Sequence, residues 1–159
     1  MSIQILAHVD PTRSRADARN ERGHLVAMDA GPPDGEDTAH SPKEALLAAL
    51  AGCTSMDVVS ILRKKRQDVT SYEIAVSGEV VEEHPRVFGS ITVEHRLGGR
   101  VEAEALRRSI ELSATRYCPV NAMLSASVTI EHWYRLTGAD GQRSEALVAV
   151  TGPQGSRVL

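Results

Sequence analysis

The fold of this chain is decided by residues 41–66, SPKEALLAALAGCTSMDVVSILRKKR. Ser41 as an N-cap, Pro42 at the first helical position and Glu44 three residues after the serine are signals of a helix start. From residue 45 to residue 62 the apolar side chains cover most of the helical wheel, which predicts a central helix that is buried on every side. The four cations that close the stretch suit the negative end of the helix dipole.

Alternating apolar and polar residues predict strands on both sides of this helix. The strands are expected at residues 3–8, 24–28, 72–80, 87–97 and 128–136, the last of these being the final strand. A second helix is predicted over 102–117, followed by a short helical turn at 120–126. Residues 11–22 hold four arginines and little apolar periodicity, so they are interpreted as a loop or an exposed edge. This order of elements is typical of the α+β class.

The C-terminal part of the chain is glycine-rich and lacks a clear pattern. We therefore divide the sequence into a main domain of residues 1–136 and a C-terminal extension of residues 137–159, which is a strand or a loose tail. Within this extension, residues 152–159 are expected to be the loose part.

Composition excludes several classes of function. The formal net charge of −3 and the aromatic content of 3% argue against nucleic acid as a partner. The opening residues MSIQILAHVD lack the features of a signal peptide, and no stretch is expected to span a bilayer. We therefore expect a cytoplasmic protein without a membrane partner. Thiols stay reduced in that compartment, so catalysis, redox sensing and inert burial are all open for the two cysteines.

Cys53 lies inside the predicted helix, and Asp57 and Ser60 follow on the same stripe of that helix. A polar stripe in a core helix is either a buried hydrogen-bond network or the wall of a site, and both interpretations stay open. Cys118 lies where the second helix ends, just before Pro119, either as an inert core thiol or facing a cleft. A zinc site has little support, because the chain has no C-x-x-C motif and no histidine at ligand spacing to a cysteine.

Two kinds of charged residue are candidate helpers of a cysteine. The arginines of the segment 11–22, which are Arg13, Arg15, Arg19 and Arg22, are either solvated or include one that reaches a thiolate and lowers its pKa. Glu44 is foremost a capping residue. It lies about 13 Å before Cys53 along one helix axis, so it would reach a cysteine only from another subunit.

Two motifs resemble the OsmC/Ohr family of organic hydroperoxide reductases. SPKEALLAALAGC at 41–53 resembles the family's helix opening and first cysteine, and YCPVNAML at 117–124 resembles the second cysteine. The stretches DVVSILRKKRQDV at 57–69 and EEHPRVFGSI at 82–91 are similar to the OsmC-like branch rather than to Ohr itself. The resemblance covers most of the chain.

The resemblance implies a fold and a reaction. The fold is an α+β, OsmC-like one, with a long buried central helix packed on antiparallel sheet in an intertwined homodimer that has two sites at its interface. Cys53 would be the peroxidatic thiolate that a hydroperoxide oxidises to a sulfenic acid. Cys118 would resolve it as a Cys53–Cys118 disulfide, and an external dithiol would reduce the pair. This cycle needs no cofactor and no metal.

The family's two helper residues are shifted in this chain. Aligned without gaps on Cys53, the family's glutamate falls on Lys43, next to Glu44, and its arginine falls near Glu21, next to Arg22. Glu44 and Arg22 are therefore the candidate substitutes. The alternative hypothesis is a non-catalytic protein of the same fold that binds a small apolar ligand at the dimer interface; the shifted helpers favour it, and the retention of both cysteines favours the peroxidase.

Overall fold

The computed structural model describes residues 2–159. Along the chain, three strands are followed by a long helix, two long strands, a helical segment and three further strands. The strands form one sheet of three strands and one of five. The predicted α+β class is confirmed. The chain divides into two compact units, Met1–Leu46 and Leu47–Leu159, which are described separately below.

The first unit is an antiparallel sheet in the order β1-β2-β3. Its strands are β1 (Ile5–Asp10), β2 (Arg15–Asn20) and β3 (Leu25–Asp29). The prediction of a loop or exposed edge over residues 11–22 is wrong for β2, which is the central strand of this sheet. Its alternation consists of small alanines between charged residues, so the apolar signal is weak, and Ala18 is the alanine that becomes buried.

The helix start at Ser41 is confirmed by a pair of hydrogen bonds. The backbone N–H of Ser41 donates to Glu44 Oε2 at 2.7 Å, and the N–H of Glu44 donates to Ser41 Oγ at 3.3 Å. This reciprocal pair is a capping box, which satisfies two of the N–H groups that a helix start leaves free. The helix that follows is α1 (Pro42–Lys64).

Helix α1 is buried along one stripe rather than all round. The stripe consists of every fourth residue, namely Leu50, Thr54, Val58 and Leu62. Met56 remains 74% exposed, so the prediction of burial on every side is wrong for the single chain, which is too small to cover the whole apolar wheel. By length and composition alone α1 would also be long enough to cross a membrane, contrary to the expectation from the sequence, although soluble core helices have the same composition.

The second unit is built on a sheet in the order β4-β5-β6-β7-β8. Its strands are β4 (Asp68–Val80), β5 (Phe88–Arg100), β6 (Thr129–Gly138), β7 (Arg143–Gly152) and β8 (Gly155–Val158). Only β5 and β6 run parallel. Strand β6 is therefore not the final strand, and the region expected to be a loose tail contains β8, whose side chains are exposed and so carry no apolar pattern.

The parallel pair β5–β6 needs a crossover, and the remaining helices supply it. They are α2 (Ala103–Leu112), a π-helical turn (Ser113–Tyr117) and α3 (Pro119–Leu124). The second helix predicted over 102–117 therefore ends in a widened turn. These helices and α1 cover one face of the sheet in two apolar clusters, represented by Val58, Leu62, Leu106, Ile110, Leu136 and Val148 in the first and by Leu50, Ile91, Val93, Cys118 and Ile130 in the second.

Candidate active site

The two cysteines lie next to each other. Cys53 is in the middle of α1, and Cys118 is the residue before α3. The Sγ atoms of both residues and a carboxylate oxygen of Asp57 all lie within 4.8 Å of one another. Both cysteines are free thiols. The fold therefore brings together the two cysteines that were predicted from the sequence, and Asp57 lies beside them.

The two thiols differ in exposure and in acidity. Cys53 is half-buried, whereas Cys118 is 2% exposed. Burial, followed by hydrogen bonding to Cys53, raises the pKa of Cys118 to about 12 because a thiolate is poorly solvated in that environment. Cys118 is therefore a protonated thiol at neutral pH, and Cys53 is the sulfur that a dissolved reagent can reach.

Cys118 is held in place by the backbone on both sides. Its own N–H donates to the carbonyl oxygen of Ser113 at 3.0 Å, within the π-helical turn. Its Sγ accepts the N–H of Asn121 at 3.3 Å and so caps the start of α3. Pro119 occupies the first turn of α3, where a missing N–H costs nothing. The sulfur is thus fixed by the local sequence C-P-x-N.

Asp57 is oriented by the crossover. Ser113 Oγ donates to Asp57 Oδ2 at 3.0 Å. The same hydroxyl also lies 3.0 Å from Oγ1 of Thr54, and both hydroxyl residues are fully buried. The sequence left open whether the polar stripe of α1 is a hydrogen-bond network or the wall of a site. Asp57 takes part in such a network, and it also lies beside the two sulfurs.

Asn121 connects the start of α3 to the sheet. Its Nδ2 donates to the carbonyl oxygen of Ala114 at 2.7 Å and to Thr151 Oγ1 at 3.2 Å. Its Oδ1 therefore faces Nε2 of His132, 2.9 Å away. Since an amide oxygen only accepts, His132 carries its proton on Nε2 in this arrangement. The side chains of this group are fully or almost fully buried.

A second buried histidine extends this polar group across the sheet. The hydroxyl group of Tyr72 lies 2.6 Å from Nδ1 of His95, which is on β5. Burial lowers the pKa of His95 to about 3 and that of His132 to about 4, so both rings are neutral at physiological pH. Burial also raises the pKa of Tyr72. Within residues 2–159, Nε2 of His95 and Nδ1 of His132 have no hydrogen-bond partner.

Sequence reasoning missed these polar residues, although a signal for one of them, His95, exists. His95 shares the strand parity of Ile91, Val93 and Leu97, all of which are buried, so the alternation of β5 places it on the inner face. Ser113 and Asn121 have no comparable signal, because their roles depend on the path of the crossover.

The candidate helpers lie in the first unit. Glu44 is in the first turn of α1, where hydrogen bonds from Ser41 lower the pKa of its carboxyl group. Arg22 is exposed in the turn between β2 and β3, and its backbone N–H donates to Asn20 Oδ1 at 3.0 Å. Their roles beside a cysteine stay predictions.

Comparison with known proteins agrees with this architecture. Residues 35–132 match the family described as OsmC-like protein. Protein YhfA of Escherichia coli strain K12 is 42% identical over 118 residues, which are 74% of this chain and 86% of that protein. A crystal structure of a hypothetical protein from Aquifex aeolicus VF5 is 25% identical, with a TM-score of 0.76 over 87% of this chain and 98% of the other.

A more distant structure shares the fold alone. The organic hydroperoxide resistance protein OhrB of Bacillus subtilis is 13% identical and has a TM-score of 0.60, over 83% of this chain and 96% of the other. Together with the match to residues 35–132 and the identity to YhfA, these similarities settle the family: this chain belongs to the OsmC-like proteins.

Proposed function

We propose that this chain is a thiol-dependent peroxidase that reduces organic or inorganic hydroperoxides. The observation that carries the proposal is the pair of free thiols within 4.8 Å of each other, one half-buried and one fully buried. Such a pair has the arrangement of a peroxidatic and a resolving cysteine. The hydroperoxide resistance protein of the same fold supports the class of substrate.

The first step takes place at Cys53. Its thiolate attacks the terminal oxygen of the hydroperoxide, the O–O bond breaks, and Cys53 becomes a sulfenic acid while the alkoxide leaves. Asp57 lies within reach of the sulfur, so its carboxylate takes the proton of the Cys53 thiol and returns it to the leaving alkoxide. The product is an alcohol, or water when the substrate is hydrogen peroxide.

The second step joins the two sulfurs. The Cys118 thiol attacks the sulfenic sulfur, the hydroxide leaves as water with the thiol proton, and a Cys53–Cys118 disulfide forms. The sulfurs must approach to about 2.05 Å from a separation of up to 4.8 Å, which side-chain rotation at the half-buried Cys53 can supply. An external dithiol then reduces the disulfide by exchange.

The proposal includes a homodimer in the cytoplasm, where dithiol reductants are available. The support for a second copy is the apolar surface that one chain leaves uncovered. It includes Met56 on α1, Ile5, Leu6 and Val9 on β1, and Val26 on β3, each more than half exposed. Sedimentation of the purified protein as a monomer would contradict this part of the proposal. Glu44 and Arg22 are assigned auxiliary roles only.

The test follows the thiols directly. Reduced protein is mixed with a small excess of cumene hydroperoxide or hydrogen peroxide, and free thiols are counted over time. We expect rapid loss of both thiols in the wild type, and a rate at least about a thousandfold lower in Cys53→Ala, because the nucleophile is gone. Lys64→Ala, an exposed change at the end of the same helix, is the matched control.

The opposite result would decide against the peroxidase. If the wild-type thiols are lost no faster than those of a free cysteine, Cys53 is not a peroxidatic residue. The alternative of a small apolar ligand would then be tested by binding.

A further inference from the structure

Cys53, Asp57 and Cys118 form a set of donor atoms suited to a metal ion. Two sulfur atoms and one carboxylate oxygen lie mutually within 4.8 Å. A tetrahedral zinc ion with bonds of about 2.3 Å to sulfur and about 2.1 Å to oxygen holds its ligand atoms about 3.5–3.8 Å apart. The three donors therefore need to close by at most about 1.2 Å, which is within the range of side-chain rotation about χ1.

This donor set cannot be recognised from the spacing of residues in the sequence. Zinc motifs are recognised by closely spaced cysteines and histidines, and this chain contains no such motif. Here Cys53 and Asp57 lie one turn apart on α1, and the third donor comes from the crossover between β5 and β6. The constellation becomes visible only once that crossover is folded against α1.

Two of the donors have the outer contacts that metal ligands use. Asp57 Oδ2 accepts the hydroxyl hydrogen of Ser113, which leaves the other carboxylate oxygen free of that bond. Cys118 Sγ accepts the N–H of Asn121, a contact that favours the thiolate form. Such second partners orient metal ligands and strengthen binding by about 10- to 100-fold.

The chemistry of the donors selects the ion. Thiolates favour thiophilic cations such as Zn²⁺ and Cd²⁺, whereas Mg²⁺ and Ca²⁺ prefer an all-oxygen set. Three protein ligands leave the fourth position of a tetrahedral ion for water. We propose that the reduced protein binds one thiophilic divalent cation per chain through Cys53, Cys118 and Asp57, and that the bound ion withholds both thiolates from hydroperoxides.

The experiment is a titration of reduced, chelator-treated protein with Cd²⁺, followed by the ultraviolet charge-transfer band of cadmium–thiolate bonds. We expect saturation at one ion per chain, and displacement of the ion by Zn²⁺. Cys53→Ala and Cys118→Ser should each weaken binding by at least about 100-fold, and Asp57→Asn by about tenfold. The serine at 118 keeps an acceptor for the N–H of Asn121, so α3 stays capped.

The controls separate this site from general metal binding. Asp34→Asn, a change of an exposed carboxylate in the loop before α1, should leave the titration unchanged. Ser113→Ala keeps all three ligands but removes the partner of Asp57, together with the contact to the Thr54 hydroxyl, and should weaken binding by about tenfold. Absence of the band, saturation at one ion per two chains, or wild-type affinity in Asp57→Asn would each overturn the three-ligand site.

The titration does not depend on the proposed peroxidase, although it uses the same residues. Metal-free protein that consumes hydroperoxide but gives no cadmium band would overturn the cation site alone. Protein that binds the ion but loses its thiols no faster than a free cysteine would overturn the peroxidase alone. If both hold, protein loaded with Zn²⁺ should lose thiols to cumene hydroperoxide at least about tenfold more slowly than metal-free protein.

Discussion

The turn of α1 around Cys53 and the start of α3 around Cys118 present the same functional group in opposite settings. Cys53 is half-buried on a helix whose neighbouring Met56 is largely exposed. Cys118 is almost completely buried, caps a helix through its sulfur and adjoins the polar group of Asn121 and His132. One thiol is placed where a reagent can reach it, and the other where its position is fixed.

This difference supports the different roles that the proposed reaction gives to the two cysteines. A peroxidatic sulfur must be accessible and must react as the thiolate, whereas a resolving sulfur has to lie close enough to attack its oxidised partner. The burial of Cys118 and its pKa of about 12 keep it from acting as the first nucleophile, which suits the second role. The contrast can be tested at each of the two regions.

After the loss of Cys53 itself, the largest effect is expected at Cys118. Cys118→Ser should leave the first oxidation of Cys53 intact but lower dithiol-dependent turnover by about 100-fold, because the sulfenic acid persists without a resolving thiol. Labelling with a sulfenic-acid reagent and intact-protein mass measurement would detect the trapped species. A variant that keeps full turnover with a dithiol would remove the resolving role.

The next effect is on stability, at Asn121. Asn121→Ala leaves Nε2 of His132 and the carbonyl oxygen of Ala114 without their buried partner, so we expect a loss of about 2–3 kcal/mol in the free energy of unfolding. Met123→Ala, which changes a side chain that is 68% exposed on the same helix, is the control. Denaturant unfolding measures both, and equal losses would show that the polar group contributes nothing specific.

A smaller effect is expected from pH. His132 has a pKa of about 4 in the folded protein against about 6.5 when unfolded. Below pH 6.5 the unfolded chain therefore binds a proton that the folded chain does not, and stability falls as the pH falls toward 4. Between pH 6.5 and 5.5 this residue alone should account for about 1 kcal/mol.

The matching variant is His132→Gln, which keeps a donor for Asn121. It should be less stable than the wild type at pH 7 but lose about 1 kcal/mol less between pH 6.5 and 5.5. If the free energy of unfolding falls equally in both proteins between pH 6.5 and 5.5, His132 takes up its proton in the folded state as readily as in the unfolded chain.

The smallest effect is expected at the candidate helpers. Glu44→Gln and Arg22→Ala should each change hydroperoxide turnover by less than about threefold, because the Glu44 carboxylate is engaged with Ser41 and Arg22 lies in an exposed turn. Steady-state kinetics with cumene hydroperoxide decides this. A loss of tenfold or more in either variant would make that residue a true helper.

Part of this molecule follows from the sequence. The start of α1 is predictable because its capping signals act within four residues, and both cysteines are recognisable from the motifs around them. Strand β2 was missed because pairing with two neighbours outweighs its poor apolar pattern. The contact between Asp57 and Ser113 is beyond sequence reasoning, since it depends on how the β5–β6 crossover packs on α1.

The cap at the start of α3 gives the sulfur of Cys118 a mechanical role beside its chemical one. The atom that would enter a disulfide is also the atom that accepts the N–H of Asn121. Oxidation of this thiol therefore alters the hydrogen bond that caps α3, the last helix before β6. The amide proton of Asn121 becomes a spectroscopic reporter, whose exchange with solvent would read the oxidation state of the protein from its backbone.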